Sequence, residues 1–139
     1  MPAPDFIAYI IGPYRAPTIS GVRRNIEAAR ELAELLWRNN IPTICSHLNT
    51  AYMDGIAPDQ VFLDGDLVLL IRCDCVLVLP NSDKSTGAQR EIQCAITHTI
   101  PVIHVPPVWR DPEAILVMVR SAMDLAMHEQ TPTRKDLTS

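Results

Sequence analysis

Basic blocks are what this sequence most plainly lacks. No Lys/Arg run exceeds two residues, as at Arg23-Arg24, and the formal net charge is −4 over 139 residues. Neutralising phosphates along a duplex takes a basic face, so a groove for polymeric nucleic acid is disfavoured, although one or two arginines suffice for a single phosphate. Long apolar runs are missing too, and no segment approaches membrane-spanning length, so no membrane partner is expected. The opening MPAPDFIAYIIG has neither the basic start nor the apolar run of a signal peptide. The setting this implies is cytoplasmic, with reduced thiols. The four cysteines, Cys45, Cys73, Cys75 and Cys94, contain no C-x-x-C knuckle. Cys73-Asp74-Cys75 falls where a helix gives way to a strand, and the cysteines read as small buried hydrophobes rather than metal ligands. Neither metal nor cofactor is expected. Charged residues amount to only 20% against 47% hydrophobic. That balance, with an apolar last helix (Ile115, Leu116, Met118, Val119, Met123), leaves room for a buried subunit interface, and a homodimer or larger is expected.

What is present alternates. Asp5 to Ile11 is a short apolar run stopped by Gly12-Pro13, and Ser20 can cap a helix from about Gly21 to Asn39. Ile41 to Ser46 is a second strand, followed by the irregular loop HLNTAYMDGIA and a helix from Pro58-Asp59 to about Arg72. DCVLVLP is a third strand; Thr86 with Gln89 suggests a capping box for a third helix. IPVIHV is a fourth strand, and Asp111 caps a last helix to about Met127. Continuous apolar strands, each followed by a helix, imply a parallel sheet covered on both faces. The expectation is one small doubly wound α/β domain of the flavodoxin/Rossmann-like kind over residues 1–129, with a loose polar tail over 130–139. Ligands of such folds gather beyond the carboxyl ends of the strands.

Two carboxylates stand out there. At about 100° per residue, Asp66 falls inside the apolar stripe of its helix, between Phe62, Leu69 and Cys73 on one side and Leu63 and Leu70 on the other. A carboxylate so placed costs several kcal/mol unless it is paired or its pKa rises. Glu91 borders the stripe of Ala88, Ile92, Ala95 and Thr99. A lone glutamate there reads as helix surface, but glycosidic chemistry recurrently uses two carboxylates bordering one cleft. Gly87 removes a Cβ where a ligand would approach, beside the free N–H groups of a helix start. His47 and Asn49 follow the second strand and are candidates to meet a base or phosphate. Tyr14 is a candidate to stack on a base. His98 and His104 read as structural.

The motifs YIIGPYR and HLNT, Asp66 followed by Asp74, and STGAQRE resemble the nucleoside 2-deoxyribosyltransferase superfamily. Within it the chain is most similar to the 2'-deoxynucleoside 5'-monophosphate N-glycosidase branch, and the likeness runs from about Tyr9 to His104. The resemblance implies that Tyr9 and Gly12 end the first strand at the site and that Glu91, six residues after Ser85, is the nucleophile at C1'. It implies that Ser85 replaces the transferases' aspartate, so a phosphate can approach without repulsion, and that Arg15 binds that phosphate. Pro13 departs from the serine of the pattern, which removes one phosphate contact. No residues matching those that family members lend to a neighbouring subunit's site are identified. With Asp66 as acid and base and Tyr9 orienting Glu91, the expected activity is hydrolysis of a (2'-deoxy)nucleoside 5'-monophosphate through a glycosyl-enzyme intermediate. A 2-deoxyribosyltransferase and a non-catalytic nucleotide sensor are the alternatives. Base preference and deoxyribose against ribose stay open.

Overall fold

Four parallel strands form the centre of the computed structural model, which describes residues 4–107 and 111–128. Strands β1 (Ala8–Ile11), β2 (Thr43–Cys45), β3 (Cys75–Val78) and β4 (Val102–His104) lie in the order β2-β1-β3-β4. Tyr9 pairs with Ile44 on one side and with Val76 on the other; Val76 in turn pairs with Val102. Around the sheet run α1 (Ile19–Arg38), the single turn α2 (Ser46–Asn49), α3 (Asp59–Leu70), α4 (Thr86–Thr97) and α5 (Pro112–His128). From β1 the chain moves outward to β2, then returns past β1 to β3 and β4. The order therefore reverses between β1 and β3, where folds of this kind open a crevice.

Alternation along the strands sorts the core into two layers. Ala8, Ile10, Cys75 and Leu77 pack against Ala29, Leu32 and Leu36 of α1 and against Ile115, Leu116 and Val119 of α5. Tyr9, Ile11, Val76 and Val78 face Leu70 of α3 and Ala88 and Ala95 of α4. Helices thus cover both faces, as unbroken apolar strands require. The consequence for function is positional, because Tyr9, the Asp66 helix and the Glu91 helix all share the second face. Cys45, Cys73 and Cys75 are buried and Cys94 half-buried, all as free thiols, so three of the four act as the small hydrophobes expected of them.

Two backbone details fix the ends of the sheet. At its amino end, Ile7 N donates to Asp74 Oδ2 at 2.7 Å while Asp74 N donates to Ile7 O at 2.7 Å. Asp74 is therefore a clamp between neighbouring chain segments, remote from the strands' carboxyl ends. At the other end, a Cβ on Gly12 would lie 2.7 Å from Leu79 Cδ1. Close packing against Leu79 already accounts for that glycine.

Several boundaries differ from the sequence expectations. The strands are shorter than their apolar runs, because pairing covers only the residues in register. Ser46 leaves β2 to open α2, so the HLNT segment begins as helix, not irregular loop. Pro58 sits at the cap position of α3 instead of its first turn. Thr18, not Ser20, caps α1: its backbone is extended and its hydroxyl accepts from Gly21 N, whereas Ser20 is already inside the helix. Likewise Ser85, not Thr86, caps α4 by accepting from Ala88 N at 3.2 Å. Gln89 then turns away from the cap and donates to Ser82 O. Asp111 does cap α5, through Glu113 N. The apolar face of α5 is largely consumed within one chain, since Ile115, Leu116 and Val119 belong to the core and Met123 packs on it. The tail expected over 130–139 lies outside the described residues.

The capping assignment is open to measurement. Thr18→Ala is expected to lower unfolding free energy by about 1 kcal/mol, while Ser20→Ala leaves it within about 0.5 kcal/mol. Equal losses in urea denaturation would contradict the assignment.

Candidate active site

Tyr9 is fully buried in the middle of β1, and a phenol placed there needs a partner for its hydroxyl. Glu91 supplies it. Projecting from the second turn of α4, its Oε2 accepts the Tyr9 hydroxyl at 2.5 Å. Burial pushes the Glu91 carboxyl up to about 7, opposed by the Tyr9 hydrogen bond and aided by the nearby charge of Asp66. Burial likewise lifts Asp66, half-buried on α3, to about 6. The Tyr9 phenol is raised too, first by burial and then by the charges of Glu91 and Asp66. Tyr9, Asp66 and Glu91 therefore sense one another on one face of the sheet. With both carboxyls raised by burial, the site keeps part of a proton near neutrality.

Around this trio stand the rim residues. Ser85 is half-buried at the head of α4; its oxygen takes the Ala88 N–H, which leaves the hydroxyl proton free to donate outward. A Cβ on Gly87 would meet only Leu63 Cδ2, at 3.9 Å. The space beside Gly87 is thus open, as an approaching ligand requires. His47, buried beyond β2, contacts Pro13 O through Nε2 at 2.9 Å. Since a carbonyl only accepts, Nε2 carries the proton. Burial lowers the pKa of the imidazole and holds it neutral. The Tyr14 ring meets His47 edge-on, with centroids 5.8 Å apart, and its hydroxyl donates to Asp54.

Two candidates are placed differently from the rest. Arg15 is exposed and engaged by the carboxylate of Asp59. Asn49 is exposed and lines an open groove of about 620 Å³ along the free edge of β2, with Arg30, Trp37, Leu48 and Leu69. That groove includes none of Tyr9, Asp66 or Glu91. A smaller cavity of about 200 Å³ sits beyond β3 and β4, between Pro80, Ser82, Gln89 and His104. Sequence reading missed Ser46, which is buried just past β2, the strand beside Tyr9, and partly counters the rise of the Tyr9 phenol. A hydroxyl residue at the carboxyl end of a strand was the available signal. It also missed Asp54 and Asp59 as partners of Tyr14 and Arg15, which lie 40 and 44 residues away in the chain.

This arrangement occurs on a known fold. A solved 2-deoxyribosyltransferase from the psychrotolerant bacterium Bacillus psychrosaccharolyticus superposes with a TM-score of 0.58 at 14% identity, covering 76% of this chain and 75% of that one. The four-stranded parallel α/β architecture is therefore that of the deoxyribosyltransferase fold. Residues 6–105 match the family described as a domain of unknown function, DUF7768, and the chain belongs to that family. No curated protein matches it. Among the described residues no helix is long and apolar enough to cross a membrane.

Lifting Glu91 from an ordinary 4.5 to about 7 has a cost in stability. Between those values the folded protein holds a proton that the unfolded chain has lost, so stability falls as pH rises through the window. Glu91→Gln removes the titration while keeping an acceptor for Tyr9. The variant is expected to exceed the wild type by on the order of 1–3 kcal/mol at pH 8 and to match it below pH 4. Coincident melting curves at pH 8 would contradict the raised carboxyl.

Proposed function

We propose that the protein is an N-glycosidase that hydrolyses the base–sugar bond of a (2'-deoxy)nucleoside 5'-monophosphate through a glycosyl intermediate on Glu91. The observation that carries the reading is the 2.5 Å hydrogen bond from Tyr9 to Glu91 on the face shared with Asp66. Tyr9 occupies Oε2 and leaves Oε1 to attack C1'. As the C1'–N bond breaks, its electron pair leaves with the base, and Asp66 gives that base its proton. Water then attacks C1', its proton returns to Asp66, and the Glu91 carboxylate departs. Free base and sugar phosphate result, and the enzyme is restored.

The electrostatics suit these roles. An oxocarbenium-like sugar above Glu91 favours its charged form, and a departing base over Asp66 excludes water and favours its neutral form. In the free protein both carboxyls are raised, Asp66 to about 6 and Glu91 to about 7, and bound substrate would fix which of them holds the proton. The phosphate end would meet the Ser85 hydroxyl, the N–H groups beginning α4 and the Arg15 guanidinium. Arg15 must leave Asp59 to take part, and an exposed pair of that kind is worth only about 0–1 kcal/mol. Gly12, Tyr14 and His47 would line the sugar and base, with Asn49 at the outer edge.

A nucleotide sensor has no use for a half-buried glutamate whose charge opposes folding, and this observation favours an enzyme. A transferase shares every residue of the trio; Ser85 in place of an acid favours a phosphorylated substrate and hydrolysis. The reading includes a homo-oligomer, supported by the exposed Ile56, Val61 and Val68. Sedimentation as a monomer at micromolar concentration would remove it.

The test is release of free base from a panel of ribo- and deoxyribonucleoside monophosphates, followed by chromatography. Glu91→Gln should bind substrate but lose turnover by orders of magnitude. Arg15→Ala should weaken monophosphate binding by about 1.5–3 kcal/mol and spare the unphosphorylated nucleoside. Ser85→Asp should do the same while preserving the α4 cap, since aspartate caps as well as serine. Binding of several monophosphates with no base released from any would transfer the protein to the sensor class.

A further inference from the structure

We propose that Asp59 is a specificity-determining residue: its carboxylate occupies the Arg15 guanidinium in place of the substrate's phosphate, and an anion engages Arg15 by displacing it. The inference rests on the reading of Arg15 as a phosphate ligand and adds the group with which that phosphate competes. Arg15 Nη2 donates to Asp59 Oδ2 across 44 positions of the chain, and both side chains are mostly exposed. Among the described residues, Arg30, Arg38 and Arg120 pair with acids of their own helices, whereas Arg15 and Arg90 reach across to another element. Both of the acids they reach, Asp59 and Asp64, stand on α3.

The helices place this contact beside the candidate anion site. Asp59 opens α3. One turn further on, Leu63 Cδ2 is what a Cβ on Gly87 would meet, at 3.9 Å, and Asp64 pairs with Arg90 at 3.0 Å. With Leu63 beside Gly87 and Asp64 beside Arg90, α3 and α4 run side by side in the same direction, their first turns at one end of the sheet. Asp59 precedes Leu63 by about 6 Å along the helix axis. The Arg15 head is therefore held about one turn along α3 from the open space at Gly87 and the free N–H groups that begin α4.

The loop that carries Arg15 is tied from behind. Asn25 Nδ2, on α1, donates to Tyr14 O at 3.0 Å and to Arg15 O at 3.5 Å, and the Tyr14 hydroxyl donates to Asp54 at 3.1 Å. The main chain under Arg15 is thus fixed while its exposed side chain is free to change partner. A guanidinium fork fits carboxylate and phosphate oxygens alike, so the two anions compete for the same donors. A phosphate monoester carries about −1.5 to −2 charges near neutrality against the single charge of Asp59, and an exposed ion pair is weak. Phosphate therefore takes Arg15 from Asp59, whereas the neutral hydroxyl of an unphosphorylated sugar leaves the pair closed. The competition sharpens the choice of a phosphorylated ligand at a small loss of affinity.

Heteronuclear NMR titration of the full chain with inorganic phosphate, 2-deoxyribose 5-phosphate and 2-deoxyribose reads this competition without any turnover. Asp59→Asn is expected to tighten both phosphate-bearing probes by roughly two- to fivefold, the worth of an exposed pair, and to leave 2-deoxyribose unaffected. The double variant Arg15→Ala/Asp59→Asn should bind phosphate no better than Arg15→Ala alone. A gain of equal size in both backgrounds would overturn the proposal, because Asp59 would then act through its charge and not through Arg15. Unchanged or weaker phosphate binding by Asp59→Asn would overturn it as well, the weaker result showing that the carboxylate aims Arg15 instead of withholding it. Should Asp59→Asn disturb the start of α3, Asp59→Ser decides by the same affinities. The Arg15-dependent gain in a protein that releases no base from any monophosphate would keep Asp59 in this role and overturn the hydrolase reading. Base release with phosphate affinity untouched by Asp59→Asn would do the reverse.

Discussion

A phenol buried in the central strand β1 donates its proton to a glutamate that α4 lowers onto the sheet, and the site is organised around that bond. Buried as it is, Tyr9 must have a partner; drawn toward the sheet, Glu91 must have a donor. Each solves the other's desolvation, because a charge-assisted hydrogen bond is about twice as strong as a neutral one. Tyr9 pairs with β2 on one side and β3 on the other, so its ring is held by the most constrained part of the sheet. A glutamate anchored to such a ring inherits the precision of the backbone rather than the looseness of a surface helix.

Burial that is costly to the fold is useful to the chemistry. Both Asp66 and Glu91 are raised primarily by loss of solvent. Among the described residues neither has a cation beside it to relieve that loss: Arg90 is turned to Asp64 and Arg15 to Asp59, at the surface. Such a site holds unfavourable electrostatics in the free protein, and in the proposed reaction a sugar bearing positive charge would relieve them. The turn before α4 completes the geometry. Ser85 spends its oxygen on the cap, keeps its proton for a ligand, and is followed by Gly87 with open space beside it. In the proposed reaction, one helix end would serve an anion while the next turn serves the anomeric carbon.

Much of this was legible in the sequence, and the reasons differ by residue. The parallel sheet could be read because CVLVLP and its counterparts are apolar without alternation, a pattern that requires cover on both faces. The partial burial of Asp66 and the rise of its carboxyl could be read because a carboxylate inside an apolar stripe is a local contradiction. Caps were harder. Thr18 and Ser20 are two residues apart with similar hydroxyls, and the choice depends on where the backbone leaves the extended region. Ser46 was hidden for a related reason, since it reads as the end of a strand and becomes the start of a helix. The Arg15–Asp59 and Tyr14–Asp54 contacts join the β1–α1 loop to the segment entering α3. Nothing within either segment announces the other.

The account stands or falls on covalent chemistry at Glu91. The most direct measurement is intact and peptide mass spectrometry of protein quenched in acid during turnover of a deoxynucleoside monophosphate. A deoxyribose-phosphate adduct mapped to Glu91, absent from Glu91→Gln, is the predicted result. Base release with no adduct at any quench time, or an adduct carried by Asp66 instead, would contradict it.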